Sequence, residues 1–310
     1  MTKVIITGAA GFIGSAVARE CLKHNIFVYA IDHNEFPKDR LPADNKNLVY
    51  IKTDVYEIAI LRRLLLDNQY DIFYQFAWVG SAGNLRADYD CQVNNALKTV
   101  ELLKLAKELG CKKFISAGSI MEFESFEAIY TQGNQPSKSY IYGIGKQLAH
   151  SLCKPIANEL DIELVWTYIT NAYGAGELSP RLINTTIRKC INNEELNFTA
   201  GAQNYDFIYI DDVAKAFYLL GQFGKANKNY LIGSGQARPL RAFLEELVTI
   251  CSNSLTPNFG DIPYTGTNLS LDTFSIRELQ EDCGFIPEIS FNEGIKKTYN
   301  WLKEQNNAKV

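Results

Sequence analysis

Val4-Ile5-Ile6-Thr7-Gly8-Ala9-Ala10-Gly11-Phe12-Ile13-Gly14 decides the fold of this chain. It reads as a short buried strand that turns on glycines at 8, 11 and 14. It then enters an amphipathic helix from about Phe12 to Lys23. Gly8 allows the sharp turn, Gly11 lets a pyrophosphate approach the backbone, and Gly14 lets the helix lie close to the strand. Free amides at the helix N-terminus attract the anion. A second strand, Phe27-Val28-Tyr29-Ala30-Ile31, follows and ends in Asp32. A carboxylate there is placed for the two ribose hydroxyls of an adenosine.

Composition narrows the class. The chain has 310 residues, enough for one large domain or two lobes, with 46% hydrophobic and 21% charged residues, as in globular proteins. A net charge of -4 without a basic block argues against nucleic acid as a partner. The first strand begins at residue 3, leaving no room for a leader, and no apolar run is long enough to span a bilayer. Seven cysteines, at 21, 91, 111, 153, 190, 251 and 283, form no CxxC pair, which fits reduced thiols in the cytoplasm. His24, His33 and His150 lie far apart without cysteine partners, so no metal site is expected.

Strands and helices alternate through the first half, which predicts an α/β fold: a Rossmann-type, doubly wound parallel sheet. The third strand is Leu48–Ile51, and Asp54 and Val55 follow it, an acceptor for an adenine amino group and a wall for its ring. A helix from Glu57 to Leu66 leads to a strand at Ile72–Ala77. A helix from about Asp88 to Leu109 and a fifth strand from Lys113 to Ala117 come next. A loop, a helix from about Tyr140 to Glu159 and a strand from Glu163 to Tyr168 complete this lobe. Past Asn171 glycines and prolines multiply. The nucleotide-binding lobe is therefore expected over 1–170, with part of 205–235 returning to it. A smaller α/β C-terminal substrate lobe is expected over 171–310. Its elements are helices at 182–192, 212–220, 240–251 and 291–303 and a strand at Asp206–Ile210.

Tyr142-Gly143-Ile144-Gly145-Lys146 places a phenol and an ammonium four apart on one helix face. The cation favours the phenolate, so the tyrosine can exchange a proton with an alcohol or ketone near neutral pH. Tyr299…Lys303 repeats the spacing on the terminal helix, where it reads as packing or surface. Tyr142 follows the fifth strand and so faces the strand ends where ligands bind. Ser119, just past that strand, is placed to hydrogen-bond the same substrate oxygen. Asn95 is read as supporting a water or a carbonyl behind Lys146.

These motifs, with Asn171-x-Tyr-Gly-x-Gly and Asp206-Phe-Ile-Tyr-Ile-Asp-Asp-Val-Ala, stand in an order that resembles the extended short-chain dehydrogenase/reductases. Within them the likeness is to the NAD-dependent epimerase/dehydratase branch, from residue 3 to about 303. The resemblance implies a nicotinamide cofactor in the first lobe and a nucleotide-sugar as substrate. Gly8, Gly11, Phe12, Ile13 and Gly14 match the pyrophosphate turn, Asp32 the ribose ligand, and Asp54 and Val55 the adenine site. Ala77 matches a wall beneath the nicotinamide ribose, and Lys146 a clamp on it. Ser119, Tyr142 and Lys146 match the catalytic trio, and Asn171 a substrate contact. The family commonly dimerises through the Asp88–Leu109 and Tyr142 helices, which implies a homodimer.

The departures from the pattern narrow the reaction. Dehydratases of this branch carry an Asp-Glu pair after the catalytic Ser/Thr, where this chain has Ile120 and Met121, which cannot transfer protons. Glu122 comes one position late. The reading is a 4-epimerase acting at C4 of a nucleotide-sugar, or alternatively a 4-ketoreductase of a nucleotide-linked deoxy-ketosugar. A non-catalytic dinucleotide sensor would have no need of the Tyr–Lys pair. Asp32 favours NAD, and Lys38 and Arg40 leave NADP open. Two arginines usual for the diphosphate are replaced around Asn204-Tyr205 and Phe259–Thr267. Arg181, Arg188 or Arg238 are the candidates to substitute, and Trp78, Tyr205 and Tyr264 are candidate stacking surfaces.

Overall fold

The computed structural model describes residues 2–66, 68–131, 136–252 and 254–307. The chain forms two compact units. The first comprises Met1–Ile169, Val213–Ile232 and Arg277–Phe285; the second comprises Thr170–Asp212, Gly233–Ile276 and Ile286–Val310.

The first unit is built from β1 (Lys3–Thr7), α1 (Phe12–Lys23), β2 (Phe27–Asp32), β3 (Leu48–Lys52), α2 (Ile58–Leu65) and β4 (Ile72–Gln75). These are followed by α3 (Tyr89–Glu108), β5 (Lys113–Ser119), α4 (Met121–Phe126), α5 (Ile141–Leu160) and β6 (Glu163–Ile169). The second unit begins with β7 (Asn171–Tyr173), α6 (Leu182–Ile191), β8 (Asn197–Phe198), β9 (Asn204–Tyr205) and β10 (Phe207–Tyr209). Most of α7 (Ile210–Phe223) and β11 (Lys228–Ile232) return to the first unit; β12 (Arg238–Pro239), α8 (Leu240–Cys251) and β13 (Asn258–Phe259) follow in the second, then α9 (Arg277–Cys283) in the first and α10 (Phe291–Asn307) in the second.

The main sheet is parallel throughout, in the order β11-β6-β5-β4-β1-β2-β3. The chain winds outward from β1 in both directions, so a crevice opens past the carboxyl ends of β1 and β4, where ligands bind in such sheets. Val4, Ile5 and Ile6 of β1 have no exposed surface, as a central strand covered on both faces requires. Ile5, Phe73 and Phe114 continue beneath Leu102, Leu105 and Ala106 of α3 into one apolar cluster.

Two local expectations are corrected, the loop after β5 and the place of Arg277–Phe285. The stretch after β5 is helical, as α4 and a π-helical turn over Glu127–Thr131, because residues 120–131 contain no glycine or proline to stop it. The strand expected at Asp206–Ile210 is β10, and it pairs with β7 in the second unit (Phe207 opposite Asn171). The segment that joins the main sheet is β11, with Lys228 opposite Val165. Arg277–Phe285, expected in the second half, belongs to the first unit, where Asp282 accepts hydrogen bonds from Lys225 (2.6 Å), Lys228 (2.7 Å) and the Tyr230 hydroxyl (2.8 Å). A three-partner polar anchor of this kind has no periodicity to be read from sequence.

In the second unit α6, α8 and α10 pack together. Phe207, Phe243 and Phe291 form its aromatic centre, with ring centroids 4.8–5.7 Å apart.

Candidate active site

The glycine turn has the geometry of an anion cradle. Gly8 has φ +68°, and a Cβ there would stand 2.8 Å from the Ala77 nitrogen. A Cβ on Gly14 would stand 2.2 Å from the Gly8 carbonyl oxygen. Both positions therefore exclude a side chain, and they bring α1 and the end of β4 against one another. Gly11 begins α1 with no side-chain cap and no acid in the first turn, so the first amides keep their donor capacity for a ligand.

Asp32, at the end of β2, is buried. Its Oδ2 accepts the Ala10 N–H (3.0 Å), and its Oδ1 accepts the backbone (3.0 Å) and side-chain (2.8 Å) N–H of Asn34. Three of about four acceptor directions are occupied, leaving room for a ribose hydroxyl. Arg40 donates to the Ala10 carbonyl (2.8 Å), so a cation adjoins the same turn. Asp54 is exposed and accepts the Tyr56 N–H (2.9 Å), while Val55 is buried in the apolar cluster behind it. The turn and Asp32 fit a dinucleotide: a cradle too narrow for a Cβ, uncapped amides, and a buried carboxylate at the end of β2 bonded to the same turn.

The second group of residues converges past β5. Lys146 is only 3% exposed. Its Nζ donates to the Ala117 carbonyl (2.6 Å) and lies 3.6 Å from the centroid of the Trp78 ring and 6.0 Å from that of Tyr142. Burial pulls its pKa below the ordinary lysine range, and the attraction of Glu122 opposes this. Tyr142 is buried, with Trp78 edge-on to it at 6.2 Å. The guanidinium of Arg86 lies 4.2 Å from the Tyr142 ring centroid. Ser119 ends β5, and its Oγ accepts the Met121 N–H (3.2 Å). α4 packs on the start of α5 so closely that a Cβ on Gly143 would meet Ser125 Oγ at 2.0 Å, which sets the Ser119 loop beside the Tyr142 helix.

Ser119, Tyr142, Lys146 and Trp78 thus gather in the first unit, together with the glycine turn and Ala77. Trp78, read from the sequence as a substrate surface, packs on Lys146 and Tyr142 instead, and its indole N–H donates to Gln92 (2.7 Å). Asn95 is also corrected. It is fully buried, accepts from the Tyr56 hydroxyl (2.6 Å) and the Val79 N–H (3.1 Å), and donates to the Val79 carbonyl (2.8 Å). Its amide fixes the loop that carries Trp78 rather than a carbonyl behind Lys146. Asn171, Arg181 and Tyr205 lie in the second unit. Asn171 donates to the Asp206 carbonyl (3.0 Å), Arg181 stands 3.6 Å from Glu177 ahead of α6, and Tyr205 tilts against Phe207 at 5.8 Å.

Sequence reading missed Arg86, Gln92 and the burial of Glu122. Arg86 sits in a 3-10 turn over Asn84–Ala87, donates to the Ser81 carbonyl (2.7 Å), and reaches Tyr142 across 56 positions of chain. No local spacing announces such a contact. Gln92 donates to the Gly80 (3.2 Å) and Leu85 (2.9 Å) carbonyls, holding the same loop.

Comparison with known proteins bears on this arrangement. The chain matches the NAD dependent epimerase/dehydratase family over residues 4–233. It is 24% identical over 317 residues to the trifunctional UDP-glucose 4,6-dehydratase/UDP-4-keto-6-deoxy-D-glucose 3,5-epimerase/UDP-4-keto-L-rhamnose-reductase of Arabidopsis thaliana. That match covers 97% of this chain and 47% of that protein, so the chain spans about half its length. It is 25% identical to the dTDP-4-dehydro-6-deoxyglucose reductase of Escherichia coli, over 95% of each. It shares its fold with the UDP-glucose 4-epimerase of Thermotoga maritima, solved with UDP-glucose, at a TM-score of 0.80 and 20% identity, covering 98% of this chain and all of that one.

Proposed function

The chain belongs to the NAD-dependent epimerase/dehydratase family, and from that premise we propose that it is a nucleotide-sugar 4-epimerase acting through Ser119, Tyr142 and Lys146. Dehydratases, epimerases and reductases all stand among its relatives. The residues must therefore choose among them. The observation that carries the reading is the Tyr142–Lys146 pair, buried beneath Trp78, beside a Ser119 followed by Ile120 and Met121. The pair supplies one proton-exchanging phenol. Ile120 and Met121 supply no second acid or base, which favours redox at a carbinol over loss of water.

The glycine turn and Asp32 would hold NAD, which would supply the hydride acceptor and donor. Tyr142 takes the proton from the sugar hydroxyl as the carbon is oxidised, and returns it on reduction. Arg86 and Lys146 stand 4.2 Å and 6.0 Å from the centroid of its ring, so two basic side chains adjoin the phenol. Ser119 is already an acceptor from Met121, so its hydroxyl proton is available to the sugar oxygen, where a fixed donor stabilises developing charge. Lys146 would also hold the nicotinamide ribose, and Ala77 would form the wall beneath it. The active species is a homodimer through α3 and α5. Seven free cysteines, six of them buried, suit a cytoplasmic setting.

The test is to denature purified protein and identify what it releases. Near-stoichiometric NAD, with interconversion of a UDP-hexose and its C4 epimer, supports an internally recycled cofactor. Empty protein that consumes NADH or NADPH on a 4-ketosugar replaces the epimerase by the ketoreductase, which the same three residues serve. Protein that binds no dinucleotide overturns the reading.

A further inference from the structure

Glu122 has no part in the chemistry described so far, yet it is 3% exposed and points its carboxylate at the catalytic strand end. Its Oε1 accepts the backbone N–H of Ser119 (2.9 Å) and the indole N–H of Trp166 (3.1 Å). A Cβ on Gly118 would stand 2.3 Å from that oxygen, so the strand end is a glycine where the carboxylate approaches it. Lys146 donates to the carbonyl of Ala117, immediately before that glycine. Lys146 and Glu122 thus hold the two residues that flank Gly118, Ala117 and Ser119.

The other groups facing Glu122 do not answer its charge. His150 Nδ1 lies 3.8 Å from Oε2. The His150 ring stacks on Trp166 at 4.7 Å, its Nε2 lies 3.1 Å from Asn229 Oδ1, and the Tyr168 hydroxyl is 3.4 Å from Nδ1. Burial and the charge of Lys154 push the His150 pKa down to about 4, so it is neutral at pH 7. Trp166 and Tyr168 are neutral. Lys146 is the cation that attracts Glu122 from α5. An apolar side chain would fill this space without the cost of burying a carboxylate, which points to a use for the charge.

We propose that Glu122 is the buried counter-ion of Lys146 and fixes the backbone of Ser119, a positioning residue for both. Burial raises the Glu122 pKa and lowers that of Lys146, and their mutual attraction works against both shifts. This rests on the reading of Ser119 and Lys146 as catalytic, but the coupling itself needs no substrate.

The experiment is nuclear magnetic resonance titration of the full chain, with 13C-labelled glutamate carboxyls and 15N-labelled lysine side chains. In the wild type the Glu122 carboxyl should titrate well above the solvent-exposed glutamates, and the Lys146 signal, which the buried Glu124 does not hold, should respond at the same midpoint. In Glu122→Gln the Lys146 midpoint should fall by about one unit, a tenfold change in its acid constant. In Lys146→Met the Glu122 midpoint should rise by the same amount, because coupling between two sites is reciprocal. A Lys146 midpoint unchanged in Glu122→Gln overturns the proposal. If that variant does not fold, the wild-type titration decides: a Glu122 carboxyl titrating like its solvent-exposed neighbours, with no response at Lys146, overturns it equally. Coupling found in a protein without epimerase activity would sink the functional reading alone. Coupling absent from an active epimerase would sink this inference alone.

Discussion

The ammonium of Lys146 rests 3.6 Å from the centroid of the Trp78 indole, on a ring face that takes the place of water for a buried charge. The indole is itself fixed by its bond to Gln92 and is carried on the loop that Asn95 holds. A desolvated contact of this kind is worth about 2 kcal/mol, and replacing it by an aliphatic side chain removes support for the charged form. Trp78→Leu should therefore lower the Lys146 pKa by about one unit. The proposed mechanism needs the ammonium, which is present below the Lys146 pKa and lost as pH rises through it. The alkaline limb of the rate profile should move to lower pH by the same amount. A profile unchanged in Trp78→Leu would mean that the indole is only packing.

Tyr142→Phe removes the proton-exchanging oxygen and keeps the ring beneath Arg86 and beside Trp78. Turnover should fall by about 10³-fold, within the range for loss of a general acid–base, while NAD binds within about threefold of wild type. Ser119→Ala should cost about 10²-fold, the value of one fixed donor at a developing charge. Activity within tenfold of wild type in Tyr142→Phe, followed by chromatography of the sugar product, would remove the tyrosine from the mechanism.

Gly14→Ala tests the cradle. The added Cβ would meet the Gly8 carbonyl oxygen at 2.2 Å, and that oxygen is backbone, so α1 has to move. Overpacking at such a contact costs about 1–3 kcal/mol. The displacement also moves the first amides of α1 away from the anion. A lowered melting temperature and a loss of NAD affinity of about tenfold or more are expected together, by differential scanning fluorimetry with and without NAD.

These experiments probe parts of the molecule that differ in how openly the sequence declares them. The strand–turn–helix over residues 4–23 is local, so its glycine spacing and apolar runs expose both the fold and the anion cradle. Tyr142 and Lys146 are one helical turn apart, and their shared face follows from 3.6 residues per turn. Arg86, Trp78 and Glu122 reach the site through contacts 44 to 68 positions away in sequence, made by side chains whose usual place is a surface or a core. Glu122 carried one trace in the sequence, an acid one position beyond the place where dehydratases keep theirs. Its burial depends on Trp166 in β6, which no periodicity connects to it. The division of the second half is legible in part: the return of a segment within 205–235 falls where β11 joins β6, whereas α9 belongs to the first unit through Asp282, which is not a local signal.

Cofactor choice turns on Asp32. Its carboxylate, already bonded to Ala10 and Asn34, would face the extra phosphate of NADP as a like charge. Asp32→Asn keeps the size and most of the hydrogen bonding but removes that charge. NAD should bind roughly tenfold more weakly, and the preference for NAD over NADP should shrink by about the same factor, since Arg40 beside Ala10 then meets no competing carboxylate. Isothermal titration with both dinucleotides measures this. An unchanged preference would assign selectivity to Arg40 and Lys38 instead.

The last prediction concerns assembly. Tyr89, Val93 and Leu97 recur every four residues along α3 and are 66%, 43% and 51% exposed, an apolar stripe on one helix face. Ile144 adds an exposed aliphatic on α5, which packs beside α3. A stripe of this size on a free surface favours a partner of the same composition, and a two-fold axis lets the stripe meet its own copy. Leu97→Glu places a charge at its centre, where it would be buried without a partner in the dimer but solvated in the monomer. Sedimentation should give a dimer for the wild type at micromolar concentration and a monomer for Leu97→Glu. Because Tyr142 and Lys146 are carried on α5, the monomer should also lose melting temperature and part of its turnover while still binding NAD. A wild-type chain that sediments as a monomer at tens of micromolar would leave the α3 stripe without this role.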